Sequence, residues 1–129
     1  MRWCSPLPAD VCVPAPGQGI VAIEIREGDE TTRGYVSRIT DADAAAALDA
    51  ERAVVQALGG GCQTPIGALA LVDGASLELV GAVASLDGRR IIRAAARGSR
   101  HRAHELGLRV GDELMAKGAS EILAEASAQ

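Results

Sequence analysis

Ile66-Gly67-Ala68-Leu69-Ala70-Leu71-Val72-Asp73-Gly74 is the stretch that decides the fold. A short apolar run closed by Asp-Gly reads as a strand entering a tight turn, because both turn residues tolerate positive φ. The pattern then repeats. Leu77 to Leu86 is apolar and runs into Asp87-Gly88, and Arg90 to Arg97 forms a third run. Two successive hairpin signals predict a three-stranded antiparallel meander.

Helical segments flank this meander on both sides. Downstream, Ser99 is a good N-cap, and Ala103, Leu106, Val110 and Leu114 fall close to one helical face. Gly118 supplies a C-cap, and Ala119 to Ala126 suits a final short helix. Upstream, Asp41 caps a helix running to Leu58, with Ala47, Val54 and Leu58 on one face and Leu48 and Val55 beside it. Gly59-Gly60-Gly61 ends that helix abruptly. A shorter helix near residues 31–39 is weakly signalled. The expected architecture is α+β: a small three-stranded antiparallel sheet covered by helices on one face.

The first thirty residues read differently. Residues 5–19 are rich in Pro and Gly, and Pro14, Pro16, Gly17 and Gly19 exclude a helix. Ile20-Val21-Ala22-Ile23-Glu24-Ile25-Arg26 has the alternation of a strand, with Val21, Ile23 and Ile25 on one face. Gly28-Asp29 stops it. The 129 residues are 48% hydrophobic, yet Trp3 and Tyr35 are the only aromatics, so the core must be aliphatic and Ala-rich. A net charge of −4 with no aromatic–basic cluster argues against nucleic-acid binding. No apolar run reaches the roughly 20 residues that cross a bilayer, so no membrane role is expected. Met1 to Pro6 lacks the apolar stretch of a signal peptide, which makes the cytoplasm the default location. There the three cysteines are read as free thiols.

Chemistry has few places to sit. Gly59-Gly60-Gly61-Cys62-Gln63-Thr64-Pro65-Ile66-Gly67 joins a helix to a strand and sets a thiol just beyond three glycines, where something bulky can approach the backbone. A thiolate there could attack an electrophile. The same residues also suit a buried, inert cysteine next to a flexible turn, and free cysteines are often simply buried. Gly17-Gln18-Gly19 could offer backbone N–H groups and an amide to a ligand, or could be only a tight turn. His101 and His104 stand three apart among Arg97, Arg100 and Arg102, with no third ligand in view. A solvated face is the expected reading there, and no metal site. Asp41, Asp43 and Asp49 are read as solubilising charge near a helix N-terminus. No Ser-His-Asp set, P-loop or dinucleotide fingerprint is present.

The residues themselves go further than their spacing. Val13-Pro14-Ala15-Pro16-Gly17-Gln18-Gly19-Ile20-Val21-Ala22-Ile23-Glu24-Ile25-Arg26 resembles the segment of porphobilinogen deaminases in which the second domain returns its last strand and leads into the third. Glu51-Arg52-Ala53, Leu58 and Gly60-Gly61-Cys62-Gln63-Thr64-Pro65-Ile66-Gly67 resemble that family's cofactor-attachment signature. Leu86-Asp87-Gly88 and Gly118-Ala119-Ser120-Glu121-Ile122-Leu123 resemble later landmarks in the same order. The likeness runs from about Leu7 to Glu125.

The resemblance implies a transferase that condenses four porphobilinogen units into hydroxymethylbilane, with loss of ammonia at each step. The oligopyrrole would grow on a dipyrromethane cofactor covalently attached through a thioether to Cys62, with Gly61, Gln63, Gln18 and Gly19 beside it. Arg26 matches a family arginine suited to substrate carboxylates. Glu51 and Arg52 match a pair read as structural, holding the cysteine loop or a domain interface. The family's catalytic aspartate lies in a first domain with no counterpart here, so this chain alone is expected to be inactive. Its partners would be porphobilinogen, the growing oligopyrrole, and the absent first and second domains. Residues 1–30 would be a strand remnant of the second domain and a hinge, and residues 31–129 the cofactor-anchoring domain. The alternative is an orphan, non-catalytic domain that carries a pyrrole adduct or binds a partner.

Overall fold

A computed structural model describes residues 4–61 and 64–128 of the chain. Its elements in order are α1 (Glu30–Val36), a 3-10 turn (Ser37–Ile39), α2 (Ala42–Ala57), β1 (Ile66–Asp73), β2 (Ser76–Ala84), β3 (Ile91–Ser99), a second 3-10 turn (Arg100–Arg102), α3 (Ala103–Ala116) and α4 (Ala119–Ser127). The sheet has the order β1-β2-β3, and both pairings are antiparallel. The expected α+β meander is therefore present, with helices on one face.

The core lies between that face and the helices. Ile66, Ala68 and Ala70 of β1, Leu77, Leu79 and Val83 of β2, and Ala94 of β3 point into it. Val54 and Leu58 of α2 and Leu106, Val110 and Leu114 of α3 meet them from the other side. Burial alternates along β1 and the first half of β2, as a half-covered sheet requires, while Gly81, Ala82 and Val83 are all buried. Helices α2 and α3 approach unusually closely. A Cβ at Gly107 would lie 2.2 Å from the Ala50 carbonyl oxygen, and one at Gly111 would lie 2.4 Å from the Ala57 Cβ. The Ala-rich composition is thus explained: small residues on both helices let two backbones pack where bulky side chains cannot.

The turns differ in detail from the expected ones. Asp73 pairs with Ser76, so the first loop is Gly74-Ala75, and Gly74 alone carries a positive φ, of 58°. Asp73 is the last residue of the ladder, not a turn centre. The second connection spans residues 85–90, because Ala84 pairs with Ile91. There Ser85 organises the loop: its hydroxyl donates to Asp87 at 2.6 Å and accepts from the Arg90 N–H at 3.0 Å. Ser99 does act as a cap, but of the 3-10 turn, accepting from His101 N–H, so α3 begins only at Ala103.

Residues 20–26 form neither helix nor ladder. Val21 is 88% exposed and Ile23 52%. The alternation that predicts a strand is present, but among the described residues no neighbouring strand offers it a ladder, and unpaired alternation does not make a strand.

Candidate functional site

The loop that leaves α2 is built by its glycines, each for a different reason. Gly59 takes φ 63° just past the Leu58 C-cap. Its N–H donates to the Gln56 carbonyl at 3.1 Å, and the Gly60 N–H donates to the Val55 carbonyl at 3.0 Å. Those two bonds make a Schellman close, which needs a left-handed residue where Gly59 stands. At Gly60 a Cβ would lie 2.5 Å from Ile66 Cδ1, so a side chain there would have to push aside the tip of Ile66 at the start of β1. A Cβ at Gly61 would meet nothing within 4 Å; it faces open space.

Cys62 and Gln63 lie outside the described residues, so the predicted anchor and its neighbour carry no geometry here. Their two flanks are described, and they are tied together. The Thr64 hydroxyl accepts from the Gly61 N–H at 2.6 Å and donates to the Gly61 carbonyl, which also accepts from the Thr64 N–H at 3.1 Å. Gly61 and Thr64 are therefore held directly to each other, through contacts that Thr hydroxyls favour. Thr64 was not singled out by the sequence reading. Its signal was its position, a hydroxyl residue three after the last glycine.

Beside these flanks lies a cavity of about 730 Å³, within the range usual for small-molecule sites. Gly60, Gly61 and Thr64 form one wall, Ala15 and Pro16 another, and Arg52 with Gln56 of α2 a third. Arg52 and Gln56 stand one helical turn apart and are exposed, so a guanidinium and an amide face the space. Of the other candidates, Gln18 is exposed and its Oε1 accepts from the Ala15 N–H at 3.2 Å, closing its own turn. Gly19 carries φ 86° and is exposed. Arg26 is exposed. The cavity lining includes Ala15 and Pro16 but not Gln18, Gly19 or Arg26.

What joins the N-terminal segment to the domain is Glu51. It is only 4% exposed. One carboxylate oxygen accepts from the Gly17 N–H at 2.6 Å, and the other accepts from the Ala70 N–H of β1 at 2.8 Å. The Ala68 N–H donates to the Pro14 carbonyl at 3.0 Å, and Val13 crosses β1 where Gly67 leaves room for it. Arg93 adds a further tie, donating to the Asp10 carbonyl at 2.6 Å. His104 faces Asp49 at 3.4 Å, and among the described residues no three His, Cys, Asp or Glu side chains converge as a metal set. No helix of the described residues is long and apolar enough to cross a membrane.

A three-stranded sheet backed on one face by two close-packed helices, with a tied loop leaving one of them beside a cavity, defines a small open-faced α+β domain. Comparison with known proteins then supplies the family. A family model described as "Porphobilinogen deaminase, C-terminal domain" matches residues 45–116. Over 124 residues the chain is 48% identical to a porphobilinogen deaminase of Moorella thermoacetica, covering 96% of this chain and 40% of that protein. Over 122 residues it is 42% identical to one of Desulforamulus reducens, covering 95% and 40%. Over 118 residues it is 47% identical to one of Bordetella parapertussis, covering 92% and 37%. The chain belongs to the porphobilinogen deaminase family and corresponds to its C-terminal part. It spans about 40% of the length of the first two of these relatives.

Proposed function

We propose that this chain is the cofactor-anchoring portion of a hydroxymethylbilane synthase, with Cys62 holding a dipyrromethane through a thioether. The observation that carries the reading is the cavity of about 730 Å³ that Gly60, Gly61 and Thr64 open beside the two ends of the Cys62 loop. The residues lining it suit such a group: Arg52 offers a guanidinium to the acidic side chains of a pyrrole, and Val55, Pro16 and Ile66 offer apolar contact to its rings. Gly61 and Gln63 would sit against the anchor, and Gln18 and Gly19, outside the cavity lining, would meet the group only where it extends beyond that space. When bound, the group supplies the free pyrrole α-carbon from which the oligopyrrole is extended.

Attachment itself asks little of the protein. The carbon–nitrogen bond of an aminomethyl pyrrole breaks and a carbon–sulfur bond to Cys62 forms. The thiol proton leaves with the amine as ammonia. A soft thiolate is suited to such a carbon electrophile. Chain extension asks more, because charge developing on the pyrrole needs fixed counter-charges. Those groups belong to the remainder of the family's fold, supplied in the same polypeptide or by a separate one. Residues 1–30 would then be the remnant of the preceding domain and its hinge. The free thiols of Cys4 and Cys12 suit a cytoplasmic setting.

Intact mass of the protein after incubation with porphobilinogen tests this. A single-pyrrole increment on the chain alone, and a dipyrromethane-sized one when the rest of the fold is supplied, each absent in Cys62→Ser, are the expected results, since a hydroxyl is a far weaker nucleophile near neutral pH. Unmodified protein, even when the rest of the fold is supplied, would overturn the anchoring. Sustained tetrapyrrole formation by this chain alone would show that the extending groups lie within it.

A further inference from the structure

We infer that Glu51 is a positioning residue: its buried carboxylate clamps the 13–19 segment to the edge of β1 and so holds Ala15 and Pro16, one wall of the cavity, opposite Gly60, Gly61 and Thr64. β1 is an edge strand of the sheet, with β2 on its other side. Its outward amides need acceptors, and a sheet would normally find them on a further strand. Here the acceptors are mixed. Ala68 donates to the Pro14 carbonyl, and Ala70, two residues on, donates to Glu51. Pro14 and Glu51 thus take successive places along one ladder edge. Glu51 stands where the next carbonyl of an added strand would stand.

Because a carboxylate has two oxygens, it can do what a single carbonyl does less readily: hold Ala70 with one and Gly17 with the other. The Gly17 bond lies at the point where the segment turns away from β1. Ala15 and Pro16, which wall the cavity, lie between the two tie points at Pro14 and Gly17. Freeing Gly17 therefore frees that wall. Burial makes the clamp stiff, because charge-assisted bonds in a dry setting are strong and a carboxylate stripped of its donors there is costly. Glu51 also sits one residue before Arg52 on α2, so the clamp and the cavity's guanidinium are carried by the same helical turn.

The functional sense of this inference rests on the proposed anchoring at Cys62; the clamp itself does not. The test uses the whole chain with Cys4 and Cys12, both exposed and free, changed to Ser, so that Cys62 is the sole thiol. Amide exchange and the rate of Cys62 alkylation by iodoacetamide are read together. In Glu51→Gln one acceptor oxygen is lost. Gly17 exchange should quicken at least tenfold and alkylation several-fold, while Leu79 and Val83 in the core keep their protection. Glu51→Asp, which keeps the charge, should recover part of both. Gly17→Ala attacks the clamp from its other end: φ is 72° there and a Cβ would lie 3.2 Å from Leu48 Cδ1. It should raise alkylation as Glu51→Gln does, with Ala70 still protected. Protection lost evenly across the sheet in Glu51→Gln, or alkylation unchanged in Gly17→Ala, would overturn the clamp. Neither readout needs a pyrrole adduct, so a failed anchoring test leaves this one standing.

Discussion

Residues 66–72 and residues 20–26 are similar in kind and different in fate. Both are short and largely apolar, and each could present every second side chain to one face. The first lies in a ladder, and its Ile66, Ala68 and Ala70 are buried under two helices. The second makes no ladder, and Val21 is 88% exposed. Composition separates them only by Glu24 and Arg26 near the end of the second. What separates them is the company each keeps: β1 is followed at once by a hairpin that brings β2 alongside, whereas residues 20–26 lie between a proline-rich segment and a helix. A strand is a property of a pair, and its stability comes from cross-strand neighbours and a covered face.

The largest expected effect in the helix-covered region is that of Leu114→Ala. Leu114 is fully buried in α3 and its Cδ1 lies where a Cβ on Gly81 of β2 would come within 2.9 Å. Removing it should cost about 2–5 kcal/mol in urea or thermal unfolding. For a domain this small that is a large part of its stability. A cost below about 1 kcal/mol would mean the core has room to collapse, and the contrast with the N-terminal segment would weaken. Gly107→Ala should cost less, about 1–3 kcal/mol. The new methyl gains up to about 1 kcal/mol of helix propensity. It must, however, displace the backbone of α2, because the nearest atom is the Ala50 carbonyl oxygen. If the variant proved more stable, α2 and α3 would not be packed as closely as described.

The sequence made the covered half legible and the packing that holds it much less so. Three runs and two glycine-closed turns announce the meander, and the cap Asp41 stands where it was expected; Gly118, expected to cap α3, lies one residue past its Lys117 C-cap and starts α4 instead. The contact between α2 and α3 was invisible because hydrophobic periodicity counts large side chains, and the contact is made by Ala50, Ala53, Gly107 and Gly111. In the site, the triple glycine and its loop were readable as a motif. The bonds from Glu51 to Gly17 and Ala70 span 34 and 19 residues, and nothing local in the sequence encodes such partners. Residues 20–26 misled for the converse reason: their local pattern was right, and the pairing it needs is not local.

A smaller effect separates the tight loop between β2 and β3 from the exposed helix start at Asp29. The Ser85 hydroxyl bond holds the Asp87 carboxyl below the ordinary carboxylate range, helped by the Arg89 N–H. At Asp29 the Thr32 N–H, then the Thr32 hydroxyl, do the same. A lowered folded value means that each bond contributes stability above the ordinary carboxylate pKa of about 3.9, and loses it as pH falls through the folded value. Ser85→Ala should move Asp87 back toward its ordinary value in an NMR titration and leave Asp29 where it is. An Asp87 titration untouched by the change would show that Ser85 does not hold it.

The smallest expected effect on stability, and the sharpest test of the comparison, is the pair Val21→Ser and Ile23→Ser. Both side chains are largely exposed, so in the isolated chain each change should shift unfolding by less than about 0.5 kcal/mol. Their effect should appear in association instead. An alternating apolar segment without a ladder offers unpaired backbone groups to another chain, and its two exposed side chains add a surface that water disfavours. The wild-type chain should therefore show concentration-dependent self-association in sedimentation or size-exclusion measurements. The double variant should shift that equilibrium toward monomer, while Leu114 and its neighbours stay equally protected from exchange. If instead the double variant unfolded as readily as Leu114→Ala, residues 20–26 would have to be buried in solution. The difference between the two alternating segments would then lie in register, not in the presence of a partner.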